Sequence, residues 1–136
     1  MADKIFVDSN IWLYAFMSNH NDKQIKAQEI INNTDIVLNT QVVNEVCYNL
    51  LRKAKFSNSD ISKFINNLRN VYSIFNISIF TILNAAELSD KYGSSFWGSL
   101  IIASALENDC DILLTEDISG ANLIESKLKL INPFVP

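Results

Sequence analysis

The sequence contains very little histidine, cysteine and glycine, and these shortages exclude several kinds of functional site. Its 136 residues include one histidine, two cysteines and three glycines. A histidine-based catalytic site or a zinc site needs partners that this chain does not have. The single His20 lies in the polar stretch SNHND, which predicts a surface position. Cys47 and Cys110 are far apart in apolar surroundings, which predicts buried free thiols in a protein of the reducing cytoplasm.

Basic residues are also in short supply, and long apolar runs are missing. The 11 lysines and arginines are outnumbered by 15 aspartates and glutamates, which gives a net charge of −4. This argues against a protein that coats nucleic acid, but it allows an enzyme that binds nucleic acid through metal ions. No apolar run reaches the roughly 18 residues of a transmembrane helix, so no membrane span is expected. The N-terminus lacks a small-residue cleavage site, so it does not indicate a signal peptide.

What is present is enough apolar material for one core. Hydrophobic residues make up 49% of the chain, and no linker, repeat or low-complexity segment divides it. We therefore predict a single domain over residues 1–136. Strands are predicted at 5–7, 36–38, 73–79, 112–114 and within 127–131. Helices are predicted at 11–17, 22–33, 41–55, from 57 or 59 to 68, at about 83–92, at 96–108 and briefly near 123. This alternation predicts an α/β protein with a parallel sheet covered on both faces.

Acidic residues follow the predicted strands. Asp8 comes directly after the first strand, Asp117 follows the fourth by way of Glu116, and Glu45 lies one turn into the helix after the second. Ligands of open parallel sheets bind at the carboxyl ends of the strands, so these acids converge if the first and fourth strands are neighbours. A single acid here is more often a helix cap or a loop residue. Several together, without a basic neighbour, favour Mg²⁺ or Mn²⁺ and phosphodiester hydrolysis.

The chain resembles PIN domains, and more narrowly the VapC-type toxins of type II toxin–antitoxin pairs. The matching segments are IFVDSNIWLY, QVVNEV, SSFWGSLIIASAL and LLTEDI, in the order and spacing of the family. The resemblance implies a Rossmann-like three-layer sandwich with a central, mainly parallel sheet of four or five strands. It implies a Mg²⁺- or Mn²⁺-dependent endoribonuclease that cleaves structured RNA, such as tRNA or rRNA, with a metal-activated water. It also implies a cytoplasmic homodimer that a small antitoxin protein neutralises.

The resemblance also assigns roles to individual residues. It transfers the acidic set of the family, which binds metal and carries catalysis, onto Asp8, Glu45 and Asp117. Thr115 matches the threonine that precedes the last acid and would place a hydroxyl beside the metal or the water. Ser9 and Asn10 match the small polar residues after the first acid and would orient it.

Gly98 is the main departure from the family pattern. The family has an aspartate here, in a stretch close to S-F-W-D-A-L-I, whereas this chain has SFWGSLI. Glycine in the first turn weakens a helix by about 0.5–1 kcal/mol, and an aspartate would interact favourably with the helix dipole. Folding therefore offers no reason for Gly98. Three explanations stay open: a site disabled deliberately or by selection, a naturally degenerate member that does not cleave, or a weaker site in which Glu116 or water replaces the carboxylate.

Two groups of aromatic residues allow more than one interpretation. Trp12, Tyr14 and Phe16 are spaced so that they could form a surface for the antitoxin or for stacking on bases, or could pack in the core and at a dimer contact. Phe96 and Trp97 are predicted to pack in the core or at the dimer interface.

The basic residues cluster at one place, in Arg52, Lys53 and Lys55. They form either a solvated helix C-terminus, favoured by the helix dipole, or a patch that contacts RNA phosphates.

Two other functions compete with a nuclease. The first is a PIN-like domain without catalysis that only binds an antitoxin or RNA. The second is a phosphoacceptor receiver domain, which is also α/β and of this length. A receiver needs paired acids after the first strand and an aspartate after the third. Asp8 has no acidic neighbour and no aspartate closes residues 73–79, so the receiver is disfavoured.

Overall fold

The computed structural model describes residues 3–17, 21–33, 35–118 and 120–136, so the prediction for His20 lies outside the described residues. Within them, six strands form one sheet. The strands are β1 (Lys4–Val7), β2 (Asp35–Asn39), β3 (Ser73–Phe75), β4 (Ile112–Leu114), β5 (Leu123–Ile124) and β6 (Leu128–Ile131). Their order across the sheet is β3-β2-β1-β4-β6-β5. All neighbouring pairs are parallel except β5 and β6, which are antiparallel.

In the same described residues, six helices flank the sheet and complete a three-layer α/β architecture. They are α1 (Ser9–Met17), α2 (Asn21–Asn33), α3 (Thr40–Lys53), α4 (Asn58–Val71), α5 (Ile79–Tyr92) and α6 (Phe96–Glu107). α5 packs along α6, and α1 packs against α2 and α3. The predicted fold class, a mainly parallel sheet between helical layers, is confirmed.

The sheet has one strand more than the predicted four or five, because the short helix predicted near Leu123 is instead β5. β5 returns to β6 through a tight turn in which Glu125 and Ser126 have φ of 52° and 54°. Both central residues of such a turn need positive φ, which Asn-Gly pairs supply readily and Glu-Ser does not. The sequence pattern therefore does not indicate a turn at residues 125–126, and the hairpin of β5 and β6 was not predicted.

The stretch 73–79 was predicted as one strand, but β3 ends at Phe75 and α5 begins at Ile79. Ser78 caps α5: its hydroxyl accepts from the Thr81 N–H at 3.2 Å, and the Thr81 hydroxyl accepts from the Ser78 N–H at 3.2 Å. This reciprocal pair fixes the start of the helix despite the β-branched residues around it. The predicted start near residue 83 was therefore about one turn late.

The caps of α1 and α3 also differ from the prediction. α1 begins at Ser9 itself, so Ser9 and Asn10 lie inside its first turn. α3 is capped by Asn39 rather than by Thr40. The buried Asn39 side chain accepts from the Val42 N–H and donates to the Ser104 hydroxyl, both at 2.8 Å. β2 thus passes directly into α3, and its last residue also ties α3 to α6.

The core lies on both faces of the sheet. α6 is buried continuously from Ser99 to Ala105, as expected of a helix that is apolar on nearly all sides. Cys47 and Cys110 are buried free cysteines, which confirms that prediction. In the described part of the chain, no helix combines the length and the apolar character that crossing a membrane would require.

Candidate functional site

The pairing of β1 with β4 positions the first part of the site. The two strands are parallel neighbours with Val7 opposite Leu114. This is the arrangement that Asp8 and Asp117 need in order to lie near each other. The Asp8 N–H donates to the Leu114 carbonyl at 3.0 Å, which extends the ladder by one residue. Asp8 and Thr115 therefore emerge side by side at the carboxyl edge of the sheet, where ligands of such sheets bind.

Asp8 is half-buried and is held by hydrogen bonds from Thr115 and Ser9. Its Oδ2 accepts from the Thr115 hydroxyl at 2.8 Å, and its Oδ1 accepts from the Ser9 N–H at 2.7 Å. Burial raises the pKa of the Asp8 carboxyl above its ordinary value. The bonds from Thr115 and Ser9 oppose this rise in pKa, and the negative charge of Glu45 adds to it. Asp8 is thus a carboxylate whose charge is not fully compensated by the protein.

Glu45 is oriented toward Asp8 by polar neighbours. Its Oε2 accepts from the Ser9 hydroxyl at 2.7 Å, and its Oε1 accepts from the Gln41 side-chain amide at 2.8 Å. Because the amide nitrogen of Gln41 donates to a carboxylate, the oxygen of the same amide, Oε1, is an acceptor. This oxygen is buried, and none of the described residues donates a hydrogen bond to it. Gln41 was missed by the sequence analysis. The available signal was its spacing of four residues from Glu45, which places both on one helix face.

Asp117 joins the site through Thr115. The Asp117 N–H donates to the Thr115 hydroxyl oxygen at 3.1 Å, while that hydroxyl donates to Asp8. A single buried hydroxyl therefore fixes both the Asp8 side chain and the backbone of Asp117. The Asp117 side chain is exposed and lines the same cleft as Asp8 and Glu45.

The cleft offers about 230 Å³ of space beside these acids. Its other walls include Ser9 and Asn10 from α1 and Trp97 and Gly98 from α6. Among the described residues that line it, none is a lysine, arginine or histidine. The cleft therefore carries negative charge without a neutralising side chain.

These residues fit a hydrated divalent cation better than one held by protein ligands alone. Within the described residues, no group of three or more His, Cys, Asp or Glu is close enough to hold a metal ion. The acids share a cleft without converging on one point. Mg²⁺ keeps several waters and is commonly bound through one or two carboxylates. An acidic cleft beside the amide oxygen of Gln41, which accepts no hydrogen bond from the described residues, therefore suits Mg²⁺ chemically.

The backbone gives no reason for glycine at position 98. Ser95 caps α6 by accepting from the Gly98 N–H at 3.0 Å, and Gly98 is outside the positive-φ region. A Cβ at position 98 would meet only the Ser95 hydroxyl oxygen, at 3.1 Å. Asp60 in α4 and Thr81 in α5 occupy this same position opposite their own serine caps. An aspartate at position 98 is therefore compatible with the fold.

Glu116 is directed away from the cleft. Its Oε1 accepts from the Tyr14 hydroxyl at 2.7 Å, and its Oε2 accepts from the Lys23 ammonium at 2.6 Å. The Lys23 ammonium also lies 4.8 Å from the centroid of the Tyr14 ring. Glu116 thus ties the segment carrying Asp117 to α1 and α2, and in this arrangement it does not replace the carboxylate missing at position 98.

The aromatic residues divide between core and surface. Trp12 is only 1% exposed, and its indole N–H donates to the Val7 carbonyl at 3.1 Å, so it belongs to the core. Phe16 is partly exposed. Phe96 and Trp97 are 41% and 67% exposed, so of the two predicted positions they do not occupy the core, and a place at a dimer interface stays a prediction. They form the first turn of α6, which projects at the edge of the cleft before the helix becomes buried.

The basic cluster is not part of the cleft. Arg52, Lys53 and Lys55 are exposed at the C-terminal end of α3, whereas Glu45 lies near its beginning. At 1.5 Å per residue, Arg52 is about 10 Å farther along the helix axis than Glu45. Arg52 donates to the Tyr48 hydroxyl at 3.0 Å. A role in contacting RNA phosphates stays a prediction.

Solved structures resemble the whole of this fold. A toxin–antitoxin complex from Klebsiella pneumoniae aligns with a TM-score of 0.73 at 16% identity, over 96% of this chain and 98% of that chain. VapC20 from Mycobacterium tuberculosis, described as a toxin that cleaves the sarcin–ricin loop, aligns with a TM-score of 0.67 at 16% identity, over 83% and 89% of the two chains. FitAcB from Neisseria gonorrhoeae aligns with a TM-score of 0.64 at 12% identity, over 96% and 98%. At these identities the likeness establishes the fold alone.

Comparison of the sequence with curated proteins gives no significant match. The family comparison is more decisive, because residues 5–121 match the PIN domain and this range contains every acid of the cleft. Together with the order of strands and the acidic carboxyl edge, this match shows that the chain belongs to the PIN domain family.

Proposed function

We propose that this chain is built as a Mg²⁺- or Mn²⁺-dependent endoribonuclease, the toxin of a toxin–antitoxin pair, and that Gly98 disables it. The observation that carries the proposal is the cleft that Asp8, Glu45 and Asp117 line together, with no basic side chain among its described lining residues. When bound, the cation would lower the pKa of a water molecule and stabilise the leaving oxygen of the phosphodiester.

Some residues of the cleft would bind the cation, and others position those residues. Asp8 and Asp117 would hold the cation directly or through its waters, and Glu45 would bind it or orient a water. Thr115 fixes Asp8 and the backbone of Asp117, and Ser9 fixes Asp8 against Glu45. These bonds support a positioning role for Thr115 and Ser9.

The substrate and partner proposals rest on the family. Structured RNA is the proposed substrate, because one structural neighbour is a toxin that cleaves the sarcin–ricin loop. A cognate antitoxin is the proposed partner, because another neighbour is a toxin–antitoxin complex. We further propose a homodimer in the cytoplasm; two buried free thiols rather than a disulfide support a reducing location.

A specific observation also favours a second function, a PIN domain that binds a partner or RNA without cleaving. The described acids do not form a group of three that could hold a metal ion, and the position where the family has its fourth acid is Gly98. In such a protein, metal affinity has no role.

Cleavage of structured RNA by matched variants tests the proposal. The parent chain is compared with Gly98→Asp and with Gly98→Asn, which has nearly the same size and no charge, in Mg²⁺ or Mn²⁺ and again in EDTA. We expect only Gly98→Asp to cleave, with EDTA and an added Asp8→Asn each abolishing the activity. The gain should exceed the roughly 10- to 100-fold that outer-shell residues contribute, because a direct metal ligand is restored.

Other results would contradict the proposal of a disabled nuclease or favour the second function. Equal cleavage by the parent and Gly98→Asp would show that three acids suffice and that the chain is not disabled. Metal titration resolves the case in which neither cleaves: Gly98→Asp that binds Mn²⁺ supports the nuclease, and Gly98→Asp that binds none supports the partner-binding function.

A further inference from the structure

Trp97 is a large aromatic residue left in solvent at the edge of the acidic cleft. Two-thirds of it (67%) is exposed, whereas Trp12, the other tryptophan, is 1% exposed. Trp97 lines the same cleft as Asp8, Glu45 and Asp117 and directly precedes Gly98. The surface of this side chain is therefore available at the place where the proposed substrate would bind.

The orientation of the Trp97 ring is supported by its neighbour. The rings of Phe96 and Trp97 lie nearly perpendicular, at 73°, with centroids 5.9 Å apart. Edge-to-face contacts of this kind are favourable and hold an aromatic ring in a defined direction. Both residues belong to the first turn of α6, whose later residues from Ser99 to Ala105 are buried. Trp97 is thus an exposed ring on a firmly anchored helix.

The charge of the cleft indicates what such a ring would bind. The described lining residues include three acids and no basic side chain, so the cleft itself repels phosphates. A nucleobase is flat and uncharged, and stacking on an aromatic side chain attracts it without requiring a positive charge. Bases present a free face mainly in single strands and loops, where they are unstacked.

We propose that Trp97 is a stacking platform for an unpaired nucleobase of the RNA substrate. This inference rests on the proposed function, since it assigns a contact to the substrate of the same cleft. It concerns binding only and is independent of the carboxylate missing at position 98. The chain as it stands, without metal, should therefore already show it.

Tryptophan fluorescence tests the proposal directly, because Trp97 is exposed and Trp12 is buried. The intact protein in EDTA is titrated with a single-stranded adenosine hexamer and with an abasic hexamer that has the same ribose–phosphate chain. We expect the adenosine hexamer to quench the Trp97 emission and shield it from acrylamide. The abasic hexamer, which has the charge but no base, should do neither.

Variants separate stacking from folding. Trp97→Leu should weaken binding of the adenosine hexamer by roughly 5- to 150-fold, the range that one stacked base supplies, and Trp97→Phe should retain most of the affinity. Phe80→Leu is the matched control: Phe80 is also exposed (71%), and it lies in the first turn of α5, beside the far end of α6, where the Thr81 hydroxyl donates to Glu107. Its affinity should equal that of the parent. The remaining Trp12 emission in the Trp97 variants reports that the core is intact.

Four results would overturn the proposal. The hexamer could bind while Trp97 emission stays constant, or Trp97→Leu could bind as tightly as the parent, or neither hexamer could bind at all. An emission change that instead follows protein concentration would assign Trp97 to contact with a second copy and would also overturn it. Failure of the proposed nuclease is a separate result, because it is read from RNA cleavage by Gly98→Asp.

Discussion

Thr115→Val should destabilise the protein by about 2–3 kcal/mol at neutral pH. The Thr115 hydroxyl donates to the Asp8 carboxylate and accepts from the Asp117 N–H, and its side chain is buried. A hydrogen bond to a charged group contributes about 1.5–3 kcal/mol and a neutral one about 0.5–1.5 kcal/mol. The loss at Asp8 dominates, because water can replace the bond at the exposed Asp117. Valine has nearly the shape of threonine, so no cavity opens.

Urea unfolding of matched variants measures this loss. Thr115→Ser keeps the hydroxyl and deletes one methyl group, so it should lose only about 1 kcal/mol. In thermal unfolding, the loss predicted for Thr115→Val corresponds to a fall in Tm of about 6–15 °C for a domain of this size. The two variants together separate the hydroxyl from the packing of the side chain.

The pH dependence provides a second check. The hydrogen bond from Thr115 lowers the pKa of Asp8. Without this bond, the pKa of Asp8 in Thr115→Val should be higher than in the parent. The difference in stability between Thr115→Val and the parent should therefore narrow as the pH falls through the raised pKa of Asp8 and the carboxylate becomes neutral. Equal stability of the valine and serine variants at every pH would refute this account of the site.

Two further predictions concern buried ionisable groups. Burial raises the pKa of Asp8 in the folded protein above its value in the unfolded chain. Asp8 therefore favours folding at pH values below its unfolded pKa, and this contribution is lost as the pH rises through the folded pKa. Asp8→Asn should gain stability relative to the parent as the pH rises. Urea midpoints from acidic to neutral pH measure this, and parallel curves would contradict it. Burial raises the pKa of the Cys110 thiol to about 11, so at pH 8 it is neutral and unreactive. In a Cys47→Ser background, a disulfide reagent should label Cys110 only at the rate of global unfolding; labelling at the rate of a free thiol would contradict this.

The location of the acids was predictable from sequence because it depends on topology. Asp8 and Asp117 follow short apolar strands, and parallel strands end at a common edge. What the pattern could not show is how the acids are held. The bonds from Thr115 and Ser9 depend on register between distant segments, and Gln41 acts only through its position one turn before Glu45.

The wrong secondary-structure predictions lie where a local hydrogen bond or turn outweighs the average conformational preference of the residues. The Glu125–Ser126 turn adopts positive φ without glycine or asparagine, so β5 had no sequence signal. Ser78 and Thr81 start α5 within a stretch of β-forming residues. Trp97 was predicted to lie in the core or at a dimer interface, whereas the structure places it at the edge of the cleft. Hydrophobicity alone does not distinguish a core residue from one available to a ligand.

The compatibility of position 98 with either glycine or aspartate has an evolutionary consequence. The N-cap bond from the Gly98 N–H to Ser95 uses only the backbone of residue 98, so this bond forms with either residue. Codons for glycine and aspartate can differ by a single nucleotide. Under the proposed function, one point mutation would therefore silence a toxic enzyme, and its reversal would restore it, while either residue leaves the fold intact.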